Sequence, residues 1–216
     1  MRIGSLMDKK LVLFDFDGVI ADSFDYSLKI IQILQPHMTD RDYRDLFEGN
    51  FYERMCNFVG KDEISPEYQK LYWKHFLERI DEIKLVEGME KILETLSKKF
   101  SLVVISSSDS TIINMILDRE KVAGYVSKVY GSDVHLSKEK KFKMIFADHN
   151  ITARDCIFVT DTLGDLLEAE NIGTESIAVS WGFHDTKTLE KGKCKAIIQK
   201  PERLIVEIEK HFDQRK

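Results

Sequence analysis

The run Leu11-Val12-Leu13-Phe14-Asp15-Phe16-Asp17-Gly18-Val19-Ile20 decides how the chain is read. Its apolar opening fits a strand covered on both faces, as in a parallel sheet. It then breaks into two carboxylates and a glycine. Residues two apart on an extended chain share a face, so Asp15 and Asp17 are expected to project together from the carboxyl end of the strand, where open α/β sheets bind ligands. Close carboxylates resist joint ionisation unless a cation lies near them. A hard divalent ion such as Mg²⁺ suits the pair, because it takes oxygen ligands from few carboxylates and keeps waters for a phosphate. An Asp-Gly pair after a strand is also ordinary turn chemistry, so the rest of the chain has to supply the partners.

Outward from that run, further apolar segments alternate with helical patterns. Strands are expected at Leu102 to Ile105, Lys128 to Tyr130, Cys156 to Thr160, Ser176 to Ser180 and Lys195 to Ile198. Helices are expected around Met89, Ile92, Leu93 and Leu96, around Ile112, Ile113, Ile116 and Leu117, and around Phe142, Ile145 and Phe146. A final amphipathic helix follows Pro201. Such alternation argues for βαβ units and a parallel sheet, so the fold class is α/β.

Residues 22–84 interrupt the alternation with helical patterns rich in aromatics and no convincing strand, which marks an inserted helical subdomain. Its stripes are Leu28, Ile31 and Leu34; Phe51, Met55, Phe58 and Val59; and Leu71, Phe76, Leu77 and Ile80, with Ser65-Pro66 opening the last helix. Placed straight after the acidic strand end, the insertion is positioned to act as a lid. Tyr26, Tyr52, Arg54 and Tyr68 are available to face a substrate, but aromatics of a small subdomain more often form its own core, and none is assigned.

Three later segments offer partners for the first acids. Leu102-Val103-Val104-Ile105 runs into Ser106-Ser107-Ser108-Asp109-Ser110, where hydroxyls and free N–H groups at a helix start make an anion site; helix capping by Asp109 or Ser110 is the plainer reading. Ser137-Lys138-Glu139-Lys140-Lys141 sets lysines at a helix start, where the helix dipole disfavours a cation and an anion nearby would compensate. Ile157-Phe158-Val159-Thr160-Asp161 again ends a strand in an acid, and Asp165 follows one helical turn on, placed to orient a metal shell.

In this order the four segments resemble the haloacid dehalogenase superfamily, over nearly the whole chain. Asp15 to Ile20 matches its first motif, Ser106 the second, Lys138 the third, and Asp161 with Asp165 the fourth. Lys141 is the runner-up for the third, because the Lys-Pro dipeptide common in relatives is missing here. The position of the insertion resembles the subgroup of phosphoglycolate phosphatase and β-phosphoglucomutase. The resemblance implies a Rossmann-like three-layer core with a parallel sheet from residues 1–21 and 85–216, and a helical cap domain from 22–84. It further implies a Mg²⁺-dependent phosphatase for a small phosphorylated metabolite. Asp15 would be the nucleophile that forms an aspartyl-phosphate and Asp17 the general acid and base. The side chains of Asp15 and Asp161 and the backbone carbonyl of Asp17 would bind the metal, Ser106, Ser107 and Lys138 the phosphate, and Asp165 would stand behind them. A phosphomutase of the β-phosphoglucomutase type and a non-catalytic binding protein on the same fold are the alternatives; a receiver domain with its phosphorylated aspartate fits the long insertion poorly.

Composition narrows the class. The 216 residues are 43% hydrophobic, enough for a sizeable core, and the net charge of −5 is spread over interspersed acids and bases, so a nucleic-acid partner is not expected. No apolar run approaches the ~20 residues of a membrane span, and Met1 to Lys10 is polar, so a cytoplasmic protein with no membrane partner is expected, as a monomer or weak dimer. Three dispersed cysteines, Cys56, Cys156 and Cys194, suit reduced and mostly buried thiols. Six scattered histidines read as surface or core-edge residues.

Overall fold

The computed structural model describes residues 10–60 and 65–214. Of the polar opening stretch, only Lys10 falls among the described residues. Among the described residues eight strands are formed: β1 (Leu11–Phe14), β2 (Ala21–Asp22), β3 (Lys84–Leu85), β4 (Ser101–Ile105), β5 (Val126–Tyr130), β6 (Cys156–Thr160), β7 (Ser176–Val179) and β8 (Ile197–Ile198). Six of them make one parallel sheet in the order β5-β4-β1-β6-β7-β8. The strand that starts the sheet therefore lies inside it, with the chain winding first to one side and then to the other. Such an order opens a crevice at the carboxyl ends of the strands where the winding reverses, and Asp15 follows directly on β1 there.

Alternate residues of β1 feed two separate layers. Val12 and Phe14 pack with Leu102, Val104, Ile157 and Val159 beneath three helices, α5 (Met89–Ser97), α6 (Ser110–Arg119) and α10 (Leu204–Asp213). Leu11 and Leu13 face Val103, Ile105 and Phe158 under α7 (Lys138–His149) and α8 (Leu163–Asn171). Each of these fully covered side chains contributes roughly 1.5–3 kcal/mol of burial, which is why the run tolerates no polar residue before Asp15. The core is thus an α/β three-layer sandwich.

Between β2 and β3 the chain forms α1 (Phe24–Leu34), α2 (Asp40–Asp45), α3 (Phe51–Val59) and α4 (Pro66–Glu78). Ser65 caps α4 by accepting from the Tyr68 N–H at 3.2 Å, as the sequence signal implies. Two details differ from the sequence reading. The first is that Ala21–Asp22 and Lys84–Leu85 pair antiparallel, closing the insertion at its base with a ladder too short to show a period-two pattern. The second is that Phe58, Leu71 and Leu77 are exposed. On α4 the inward face is aromatic, with Phe76 buried against the rings of Tyr26, Tyr72 and Trp73 at 5.0–5.8 Å. The larger rings take the buried face and leave the leucines outside.

The four-residue helix α9 (Thr186–Leu189) was not foreseen, and the strand expected at Lys195 to Ile198 shrinks to its last two residues. No disulfide joins the three cysteines, of which Cys156 alone is fully buried. Among the histidines, His184 and His211 are buried, which corrects their placement at the surface or core edge. The Nδ1 of His184 accepts from the Leu163 N–H at 2.9 Å and its Nε2 lies 2.9 Å from the Arg44 carbonyl, so this ring ties the core to the insertion. No helix among the described residues is long and apolar enough to cross a membrane.

Candidate active site

Asp15 leaves the end of β1 nearly covered, 6% exposed, with its backbone N–H donating to the Val159 carbonyl at 2.9 Å. Its Oδ2 accepts from Lys138 Nζ at 2.8 Å, and the same Nζ donates to Asp165 Oδ2 at 2.6 Å. Lys138 is the first residue of α7, where the helix dipole opposes a cation, and the two carboxylates supply the missing counter-charge. Thr160 Oγ1 donates to Asp165 at 2.7 Å, and the Thr162 hydroxyl caps α8 by accepting from the Asp165 N–H at 3.3 Å. Asp165 therefore holds Lys138 against Asp15.

Asp17 is held from two sides. Ser23 Oγ donates to its Oδ1 at 2.7 Å and Ser108 Oγ to its Oδ2 at 2.6 Å, while Ser106 Oγ stands 3.5 Å away. Ser106 is fully buried and its hydroxyl accepts the Ser108 N–H at 3.0 Å. Ser107 lines the same cavity through a half-buried side chain, and its carbonyl accepts from the Tyr52 hydroxyl at 3.0 Å. The plainer reading of the serine run also holds, since Asp109 caps α6 through the Thr111 N–H. Lys141, the alternative lysine, is fully buried and donates to the Ser106 carbonyl, which fixes the backbone of the serine loop and leaves Asp15 to Lys138.

Asp161 ends β6 beside β1, completely covered. Its Oδ2 accepts from the Phe183 N–H at 2.7 Å, and its Oδ1 is buried with no hydrogen-bond partner among the described residues. Backbone crowds the carboxylate closely. A Cβ on Gly182 would lie 2.2 Å from Oδ2 and one on Gly18 2.0 Å from it, and Gly18 also has a φ of +72°. Only glycine meets both demands at position 18. A buried carboxylate oxygen with no donor is the kind of atom a cation satisfies. No group of three or more His, Cys, Asp or Glu side chains is arranged as a metal cage among the described residues. The ligand set that the resemblance implies, the carboxylates of Asp15 and Asp161 with the Asp17 carbonyl, contains only two such side chains and falls below that size.

Burial raises the pKa of Asp15 well above the usual carboxylate range, with Lys138 opposing and Asp165 reinforcing the shift. Burial likewise pushes Asp161 up to about 7. Asp165 is lowered, because the charge of Lys138 and hydrogen bonds from its surroundings outweigh burial. Lys138 is raised: burial opposes its charge, but Asp15 and Asp165 more than restore it. Burial, helped by Lys138, brings Lys141 down to about 8. Three acids around one lysine are thus short of positive charge, which is where a divalent cation would stabilise the group.

These residues face a cavity of about 350 Å³ whose floor is Asp15, Asp17, Ser106, Lys138 and Asp165 and whose roof comes from α1, α2, α3 and α4. The haloacid dehalogenase-like hydrolase family matches residues 12–179, a span that contains every one of these floor residues.

The chain belongs to the haloacid dehalogenase-like hydrolase family.

Relatives of this hydrolase include a phosphoglycolate phosphatase of Synechococcus elongatus, 24% identical over 187 residues that cover 82% of this chain and 87% of that one. Another is a phosphoglycolate phosphatase of Vibrio parahaemolyticus, 22% identical and covering 82% and 86%. Among solved structures, a haloacid dehalogenase-like family hydrolase from Streptococcus pneumoniae superposes with a TM-score of 0.79 at 21% identity, over 92% of this chain and 98% of that one. Sequence reasoning did not find Ser23 or Ser108 as partners of Asp17, nor the Phe183 N–H that holds Asp161 from 22 residues downstream. Ser108 lies in the serine run that follows β4, where nothing local distinguishes it from its neighbours. Tyr52 and Tyr68, left unassigned, both line the cavity.

Proposed function

We propose that this hydrolase is a Mg²⁺-dependent phosphomonoesterase acting on a small phosphorylated metabolite, with Asp15 as nucleophile. The observation that carries the reading is the convergence of Asp15, Asp17, Ser106, Lys138 and Asp165 on one roofed cavity at the reversal point of the sheet. The names of the curated relatives point to the same ester class.

Substrate enters with its phosphoryl group against Lys138 and Ser106, which neutralise and orient the oxygens; in this transfer catalysis is mostly positioning and electrostatics. The Asp15 carboxylate attacks phosphorus and the ester oxygen leaves, taking a proton from Asp17. The ionised Asp17 then accepts a proton from water, which attacks the aspartyl-phosphate, releases inorganic phosphate and regenerates Asp15. Two serine hydroxyls fix the aim of Asp17 through both steps. Asp15, Asp161 and the Asp17 carbonyl would hold Mg²⁺, which would supply positive charge to offset that of the nucleophile and the phosphate. Residues 22–84 act as a cap domain on the core of 1–21 and 85–216, excluding bulk water from the aspartyl-phosphate.

The test is Asp15→Asn with p-nitrophenyl phosphate and Mg²⁺. Loss of turnover by about 10³-fold or more, as expected for removal of a nucleophile, supports the assignment, and wild-type turnover removes it. Following inorganic phosphate separately from transfer to a sugar hydroxyl distinguishes hydrolysis from a mutase.

A further inference from the structure

The charge and shape of the cavity say more about the alcohol half of the ester. Four carboxyl side chains line it, Asp15, Asp17, Asp165 and Glu168, and Lys138 is the only basic side chain that does so among the described residues. That lysine is already engaged by two of the acids. Asn50 donates to Glu168 Oε1 at 3.2 Å across the boundary between insertion and core, so the amide on the roof is occupied as well. The guanidinium of Arg44, on the roof helix α2, turns away: it lies 3.6 Å over the Phe24 ring and hydrogen bonds to Asp40 and the Phe183 carbonyl.

The remaining roof is largely aromatic, with Ser27, Ile31 and Met55 between the rings. Phe47 and Phe51 stack at 4.8 Å, and Tyr52, Tyr68, Tyr72 and Trp73 continue the wall. A second anionic group on the substrate would have to shed its water in a space lined by four carboxyl groups and, among the described residues, by no unoccupied basic side chain. A flat apolar group would meet rings at contact distance, which favour offset or edge contacts with another ring. The volume, about 350 Å³, lies near the lower end of the roughly 300–1,000 Å³ of ligand pockets and favours a single ring over a large polyol.

We infer that the physiological substrate is the phosphate ester of an uncharged, flat alcohol of about one ring, and that esters carrying a second anionic group such as a carboxylate are rejected. This rests on the phosphatase reading and separates the chain from the activity named for its curated relatives. The recognising elements are the rings of the roof, and the rejecting element is the excess of carboxyl groups over Lys138.

The decisive comparison uses three primary alkyl esters, benzyl phosphate, ethyl phosphate and 2-phosphoglycolate, assayed on the full chain with Mg²⁺. Benzyl phosphate is expected to exceed 2-phosphoglycolate in kcat/KM by about tenfold or more, with ethyl phosphate between them. Equal or higher kcat/KM for 2-phosphoglycolate overturns the inference while leaving the phosphatase reading intact. Calorimetric binding of benzylphosphonate and phosphonoacetate gives a second readout that needs no turnover. Tighter binding of benzylphosphonate supports the inference and the reverse order overturns it; failure of every ester to release phosphate removes the phosphatase reading and, with it, the assignment of a substrate, leaving the order of binding to decide the selectivity of the cavity. Trp73→Leu is expected to lower kcat/KM for benzyl phosphate by a clearly larger factor than that for ethyl phosphate; an equal loss for both contradicts recognition by the ring.

Discussion

Replacing Lys138 by Met keeps most of the stem and deletes the charge. The wild-type ammonium lies 2.8 Å from Asp15 and 2.6 Å from Asp165, and all three side chains are less than a tenth exposed. Its loss leaves two buried carboxyl groups with no cation, a change that costs about 3–5 kcal/mol when both must stay ionised. They need not, because each can keep a proton. In the variant both groups then titrate above their unfolded value of about 3.9. The folded chain holds protons that the unfolded chain releases, so stability falls as pH rises. Relative to wild type, the deficit should therefore be largest near pH 8 and shrink toward pH 5, by about 1.4 kcal/mol per pH unit for each proton retained. Urea unfolding without added metal, followed by tryptophan fluorescence at several pH values, measures it. A deficit below about 1 kcal/mol, within the range of an ordinary surface substitution, or one that does not change with pH, refutes the buried triad.

Asp161→Asn should act in the opposite sense in metal-free protein. Burial holds Asp161 at about 7, so in wild type it weakens the fold progressively as pH rises from its unfolded value toward 7. The amide variant should be the more stable of the two at pH 8 and no more stable near pH 4, and thermal denaturation should show Mg²⁺ raising the Tm of wild type only. Gly18→Ala brings a Cβ within 2.0 Å of the Asp161 carboxylate at a φ of +72°; left-handed backbone alone costs about 1–2 kcal/mol, and a lowered Tm with loss of Mg²⁺-dependent turnover is expected. Tyr52→Phe removes the hydrogen bond to the Ser107 carbonyl at 3.0 Å. Steady-state kinetics should show KM raised about fivefold, equivalent to roughly 1 kcal/mol for one hydrogen bond, with circular dichroism unchanged.

Sequence carried the sheet because burial on both faces leaves a plain mark: Leu11 to Phe14 and Cys156 to Thr160 are fully covered runs that end at Asp15 and Asp161. It brought Asp15, Asp17, Ser106, Lys138 and Asp165 to one cavity for the same reason, since residues at the ends of parallel strands and the starts of the following helices must share an edge. What it did not carry depends on contacts between distant segments. Sequence preferred Lys138 to Lys141 through the resemblance, but that one lysine of the helical turn faces Asp15 and the other the Ser106 carbonyl is a contact between distant segments. The β2–β3 ladder is two residues long on each side, below the length at which alternation is visible. The exposed Leu71 and Leu77 follow from competition with Tyr72, Trp73 and Phe76 for one face of α4, which hydrophobicity alone does not rank.

The proposal that Asp15 carries the phosphoryl group is tested most directly by trapping it. The enzyme is mixed with p-nitrophenyl phosphate and Mg²⁺, quenched during turnover, reduced with borohydride and digested for mass spectrometry. Reduction of an acyl phosphate to the alcohol is expected at Asp15 and at no other carboxyl group. Steady phosphate release with Asp15 unmodified, or with the mark on Asp17 or Asp161, would contradict the account.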